Sequence, residues 1–220
     1  MSTSTRTLVL LSGLAAVGTL STTIILPSFP AMAASLNAAP ADMALTLSSF
    51  FLVFAVGQLL VGPLSDRYGR RPLILGGLTL FVLGSLLGAG ATDLSTMVVA
   101  RVIQAAGVCA ASVLARAVAR DLYDGPLLAK ALAFIMVAMA AAPGFSPLIG
   151  SVIDSQFGWR TSFVLVAAAG SALILSYSLL LNETHAPSAR LKMTVPVQQR
   201  PICSCLATAD SLCRRSRSVW

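Results

Sequence analysis

Charge is what this sequence has least of. Asp, Glu, Lys and Arg make up 10% of its 220 residues, against about 25% in an ordinary soluble chain. A soluble domain of this length covers its outside with charged side chains, and here there are too few. Histidine is nearly missing as well, with His185 the only one. That leaves no histidine for a zinc cluster and none to serve as a base beside a nucleophile. No glycine-rich phosphate loop precedes a lysine, and the serines on apolar stretches have no base near them in sequence. With nucleophile, base and oxyanion stabiliser all lacking, the expectation is a protein that is not an enzyme, with no cofactor and no metal. Of the four cysteines, Cys109 lies in an apolar stretch and reads as packing. Cys203, Cys205 and Cys213 match no zinc spacing.

What the sequence does have is apolar surface, at 56% of residues. Lipid is the solvent that permits such a composition. Six segments have the ~17–25 residues that a hydrocarbon core of about 30 Å requires. They span Leu8–Phe29, Met43–Pro63, Pro72–Ala91, Leu94–Val118, Ala131–Val152 and Ser162–Leu181. The expected fold class is therefore an all-α membrane protein, a six-transmembrane-helix bundle. The first segment has a competing reading: Arg6, the run Leu8–Leu20 and the Ala31-Met32-Ala33 triplet mimic a signal peptide. The length of the run, and the similar segments that follow at once, favour a helix that stays.

The net charge of +7 does not point to nucleic acid, because the basic residues sit between apolar runs and in the last stretch. No basic face on a folded domain is visible. With the N-terminus in the cytoplasm, the inner segments hold Arg6, Arg67, Arg70, Arg71, Arg116, Arg120 and Lys130, while the outer ones hold only Arg160. That asymmetry predicts a multi-pass inner-membrane protein with a cytoplasmic N-terminus, in contact with membrane lipids.

Three strings carry more than composition. The first is Gly62-Pro63-Leu64-Ser65-Asp66-Arg67-Tyr68-Gly69-Arg70-Arg71-Pro72. It reads as a tight cytoplasmic turn, with Gly62 and Gly69 as permissive backbone and Pro63 and Pro72 restricting helix ends. Asp66 is suited to accept from free N–H groups or from an arginine fork. Second, Arg101 falls inside the fourth segment, at a cost of roughly 2.5–3.5 kcal/mol on insertion scales. It shares a helix face with Gln104 and is expected to face the bundle interior; the alternative is an outer-end arginine that snorkels to water. Third, Pro143, Gly144, Pro147 and Gly150 punctuate the fifth segment and predict a kink or hinge. Glycines also mark the third segment, with Gly84 and Gly88 at GxxxG spacing, which suits close helix packing.

These strings resemble motifs of the major facilitator superfamily. Gly62, Leu64, Asp66, Arg67, Gly69, Arg70 and Arg71 match its inner-loop motif. Arg101, Gln104 and Gly107 match its fourth-helix motif, with Ala105 in place of a glycine. Pro147 and Gly150 match its fifth-helix antiporter motif, with Ser146 and Ser151 at glycine positions. Thr22–Pro30, Gly158-Trp159-Arg160 and Asn182-Glu183-Thr184 are similar to the Bcr/CflA drug-resistance group, although Thr23 stands near the place where many members carry an acid. The resemblance implies the N-terminal half of a major facilitator fold and multidrug efflux by proton antiport, of chloramphenicol- or bicyclomycin-type compounds. It implies an inner gate at Asp66, Arg67, Arg70 and Arg71, proton coupling at Arg101 and Gln104, and an antiporter hinge from Pro143 to Gly150. The partners implied are a small-molecule drug, protons and membrane lipids.

The resemblance covers about residues 8–185, and two domains are expected: 1–184, a six-helix transporter bundle, and 185–220, a basic and disordered tail. A transporter of this kind places its substrate between two halves. Transport then needs the missing C-terminal half or self-association, and the alternative is a truncated, non-transporting fragment. The tail has no 20-residue apolar run. It reads as the product of a shifted frame, or else as a basic segment that binds anionic lipid. If a frame shift made it, the other reading frames of the gene beyond residue 184 encode further apolar segments; their absence overturns the idea.

Overall fold

In lipid every backbone N–H and C=O must be satisfied within its own segment, so long apolar runs fold as helices. The computed structural model describes residues 3–180, and these bear out the all-α expectation. The helices are α1 (Thr3–Thr23), α2 (Phe29–Ser35), α3 (Met43–Tyr68), α4 (Arg70–Ala89), α5 (Leu94–Leu122), α6 (Gly125–Phe157) and α7 (Trp159–Leu180). Six helical stretches are long and apolar enough to cross a membrane, the first of them running from Thr5 to Ser35 through a break. Expectations attached to Leu181, Asn182–Thr184, the three tail cysteines and 185–220 lie outside the described residues.

Two expectations need correction. The first segment is not one helix: α1 stops at Thr23, a 3-10 turn follows over Leu26–Ser28, and α2 begins at Phe29. Pro27 is the second residue of the 3-10 turn and Pro30 sits in the first turn of α2, where a missing N–H costs nothing. The string Gly62–Pro72 is also not a turn. Gly62 and Pro63 lie inside α3, which runs on to Tyr68, and Pro72 lies in the first turn of α4. Only Gly69 leaves the helical conformation, at φ 94° and ψ 162°. Apolar counting stops at the first charges, whereas a helix continues wherever its side chains are solvated.

A second joint has the same build. Gly158 separates α6 from α7 at φ 79° and ψ 160°, another backbone region open only to glycine. In both joints the glycine N–H donates to the carbonyl four residues earlier, Ser65 at 2.9 Å and Asp154 at 3.0 Å. An arginine two residues further on then caps a neighbouring helix. Arg71 Nη2 donates to the Ser178 carbonyl at 3.1 Å, near the end of α7. Arg160 Nη2 donates to the Ala91 carbonyl at 3.0 Å, just past the end of α4. Thus α4 and α7 lie antiparallel, and each is met at its C-terminal end by the arginine of the other. Cations at helix C-termini are favourable by roughly 0.3–1 kcal/mol.

Helix α5 is the centre of the bundle, packed against α1, α3, α4 and α6. Its start is capped by Asp93, which accepts from the Thr96 hydroxyl and N–H. Those two bonds hold the Asp93 carboxyl below the usual carboxylate range, so the cap is lost as pH falls through that lowered value. By contrast, α3 and α6 turn Leu59, Leu60, Val137 and Leu148 outward, as helices facing lipid or another bundle do.

Helices α4 and α5 approach each other closely along their length. A Cβ on Gly84 would lie 2.6 Å from the Gln104 backbone nitrogen and 2.9 Å from the Ala100 carbonyl oxygen. Gly107 faces the backbone of Gly77 and Phe81 in the same way. Gly76, one face away, has nothing within 4 Å. Gly84→Ala should therefore lower stability by about 1–3 kcal/mol through overpacking. Gly76→Ala should raise it by up to about 1 kcal/mol through helix propensity. Thermal unfolding in detergent distinguishes the two, and equal shifts would refute the backbone contact.

Candidate functional site

Arg101 is the eighth residue of α5, about 10 Å along the axis from its start. It is fully buried, at 0% exposure, so it does not snorkel. Its Nη1 donates to the Gln104 Oε1 one turn on, and at 3.4 Å to the Ser21 carbonyl of α1. Gln104 Nε2 donates to Ser85 Oγ of α4 at 2.7 Å, and Ser85 Oγ donates to the Phe81 carbonyl at 2.8 Å. The chain of bonds therefore crosses three helices. The guanidinium carbon also lies over two buried rings, Phe50 of α3 at 5.3 Å and Phe163 of α7 at 5.4 Å. Arg101 Nε and Nη2 make no hydrogen bond to a described residue.

The α3–α4 joint holds a different cluster. Arg70 Nε pairs with Asp121 Oδ2, near the end of α5, at 2.9 Å. Arg71 binds the end of α7 as described. Arg67 projects outward over the Tyr68 ring, 5.2 Å from its centroid. Asp66 is half-buried and makes no hydrogen bond or ion pair to another described residue. The carboxylate that engages Arg70 is thus Asp121. Gly62 has open space on its Cα, while Gly69 makes the joint itself.

In α6 the helix continues through both Pro143 and Pro147. Pro143 and Gly144 face outward, and Gly144 has nothing within 4 Å. Ser146 and Gly150 face inward onto the broken end of α1. Ser146 Oγ bonds to Thr23 Oγ1, and the Gly150 Cα abuts the Ile24 carbonyl so closely that no side chain fits. Thr23 is thus joined to Ser146 across the two helices.

Sequence reasoning did not find Phe50, Phe163, Ser85 or Asp121. The phenylalanines carry no mark among nine, and Ser85 is one hydroxyl on an apolar helix. Asp121 had a usable signal, as the one acid at the end of a helix whose last two turns hold Arg116 and Arg120.

A sequence profile of the Major Facilitator Superfamily matches residues 11–218. The chain is 32% identical over 187 residues to Multidrug resistance protein D of Escherichia coli, covering 84% of this chain and 48% of that protein. It is 34% identical to a Chloramphenicol resistance protein of Pseudomonas aeruginosa, over 76% of this chain and 41% of that one. It is 30% identical to a Bicyclomycin resistance protein homolog of Haemophilus influenzae, over 80% and 44%. The chain thus spans less than half the length of these relatives. Its fold matches that of a bacterial homolog of the human lysosomal transporter Spinster, in an inward-facing and unoccupied conformation. The TM-score is 0.72 at 17% identity, covering 83% of this chain and 44% of that one.

The Arg70–Asp121 pair is partly shielded, with side chains 13% and 24% exposed. Asp121→Asn should cost on the order of 1 kcal/mol. The exchanged pair R70D/D121R should recover most of the loss in thermal unfolding. No recovery would show that the two charges do not act as a pair.

Proposed function

The chain belongs to the Major Facilitator Superfamily, and we propose that it is the N-terminal half of a drug exporter driven by proton antiport. The observation that carries the reading is the buried Arg101. An intramembrane cation is expensive and marks function by default, and here it sits at the heart of the bundle, tied to α1 and, through Gln104, to α4. The relatives named for resistance to several drugs, to chloramphenicol and to bicyclomycin support drugs as the substrate class.

In this reading the two bundles rock around a site between them. Arg101 and Gln104 stabilise one protonation state of the cycle. Asp66 accepts from a helix end or an arginine of the other half, and so is free within this one. Arg67, Arg70 and Arg71 complete the inner gate, on the cytoplasmic side with the N-terminus. Pro143, Gly144, Pro147 and Gly150 let α6 bend against α1. Transport in this reading needs a C-terminal half or self-association. A second reading, a fragment that inserts but does not transport, is favoured by one fact: the chain covers 48% or less of each relative described.

Drug efflux from cells expressing this chain, with a protonophore control and a blot of the membrane fraction, separates the readings. Protonophore-sensitive efflux that Asp66→Asn abolishes without loss of membrane-inserted protein supports the exporter. Inserted protein with no efflux supports the fragment.

A further inference from the structure

Among the described residues, Arg101 lacks the carboxylate partner that a buried cation ordinarily has. The aspartates within residues 3–180 are Asp42, Asp66, Asp93, Asp121, Asp124 and Asp154, all at helix ends, and no glutamate occurs there. No ion pair to Arg101 is formed among the described residues. Its two neutral acceptors, an amide oxygen and a backbone carbonyl, both meet Nη1. Something else must stabilise the charge, and the ring faces are within the ~6 Å range over which an aromatic quadrupole attracts a cation. Attraction of this kind is strongest where water is excluded, and both rings are buried, at 1% exposure each.

The rings are also fixed in place. Phe50 stacks on Phe54 at 6.0 Å and 16°. Phe163 meets Trp159 edge-on at 6.0 Å. It also rests on Gly88, where a Cβ would lie 2.8 Å from the ring, so the glycine makes room for the phenylalanine.

We propose that Phe50 and Phe163 are positioning residues for Arg101. Their ring faces hold the guanidinium as a buried cation in place of a carboxylate, and leave its Nε and Nη2 donors for an acceptor brought by another molecule or bundle. A carboxylate partner would neutralise the cation and occupy those donors; a ring face does neither. The inference stands on these contacts and goes beyond the efflux reading, so absence of efflux leaves it untouched.

The test replaces Phe50, and separately Phe163, with mono-, di- and trifluorinated phenylalanine in the full chain. Fluorine weakens the ring quadrupole with little change in shape. The melting temperature in detergent should fall stepwise with each fluorine, by several degrees across the series, and stay flat in an Arg101→Met background. Arginine Nε–H resonances give an independent reading. The Arg101 signal should be shifted upfield by the rings, return toward its ordinary position in Phe50→Leu or Phe163→Leu, and stay shifted in the corresponding tyrosine variants. A fluorine series that is flat, or one that is equally steep in the Arg101→Met background, overturns the proposal, as does an unshifted Arg101 resonance. If a leucine variant fails to fold, the fluorine series still decides.

Discussion

The contact on which the bundle depends is the approach of α4 to α5, backbone against backbone. Gly84 lies so near the Gln104 nitrogen that a methyl group would not fit. The next residue, Ser85, thereby comes within 2.7 Å of the Gln104 side chain. Gln104 in turn is held to receive Arg101. A small residue in a lipid-facing chain thus decides where a charge can live. Lipid supplies no hydrophobic drive between helices, so close packing and buried hydrogen bonds are what associate them.

A second organising feature is the likeness of the two glycine joints. Each folds one residue into a conformation that other residues avoid, and each sends an arginine to the far end of the partner helix. The two joints lie at opposite ends of the α4–α7 pair. They tie the relative height of these helices from both sides. Helices α1 and α6 meet at their seam through hydroxyls and a bare glycine, with no ion pair there among the described residues. Helix α6 also carries two prolines, each of which leaves a carbonyl in the preceding turn without its donor.

Much of this was legible in the sequence. Lipid imposes a length on apolar segments, so all six membrane segments stand as expected, the first with a break inside it, and the sharing of one face by Arg101 and Gln104 follows from helical periodicity alone. The break after Thr23 was not legible, because Leu26 and Ile25 are as apolar as the helix before them and hydropathy ignores the missing proline donors. The helical course of Gly62–Pro72 was missed for the converse reason, since glycine and proline are punctuation only where the surroundings let them be. The ring seat of Arg101 was hidden because it joins residues 50, 101 and 163, which no spacing rule connects. Asp121 escaped because its partner Arg70 belongs to another helix.

The Thr23–Ser146 contact carries one consequence for the energetics of the bundle. Alcohol side chains neither gain nor lose a proton across the range in which cells operate, so the seam between α1 and α6 is electrically silent. A proton gradient has no handle there. A change of charge elsewhere in the bundle can reach this seam only mechanically, as a sliding contact between hydroxyl and helix.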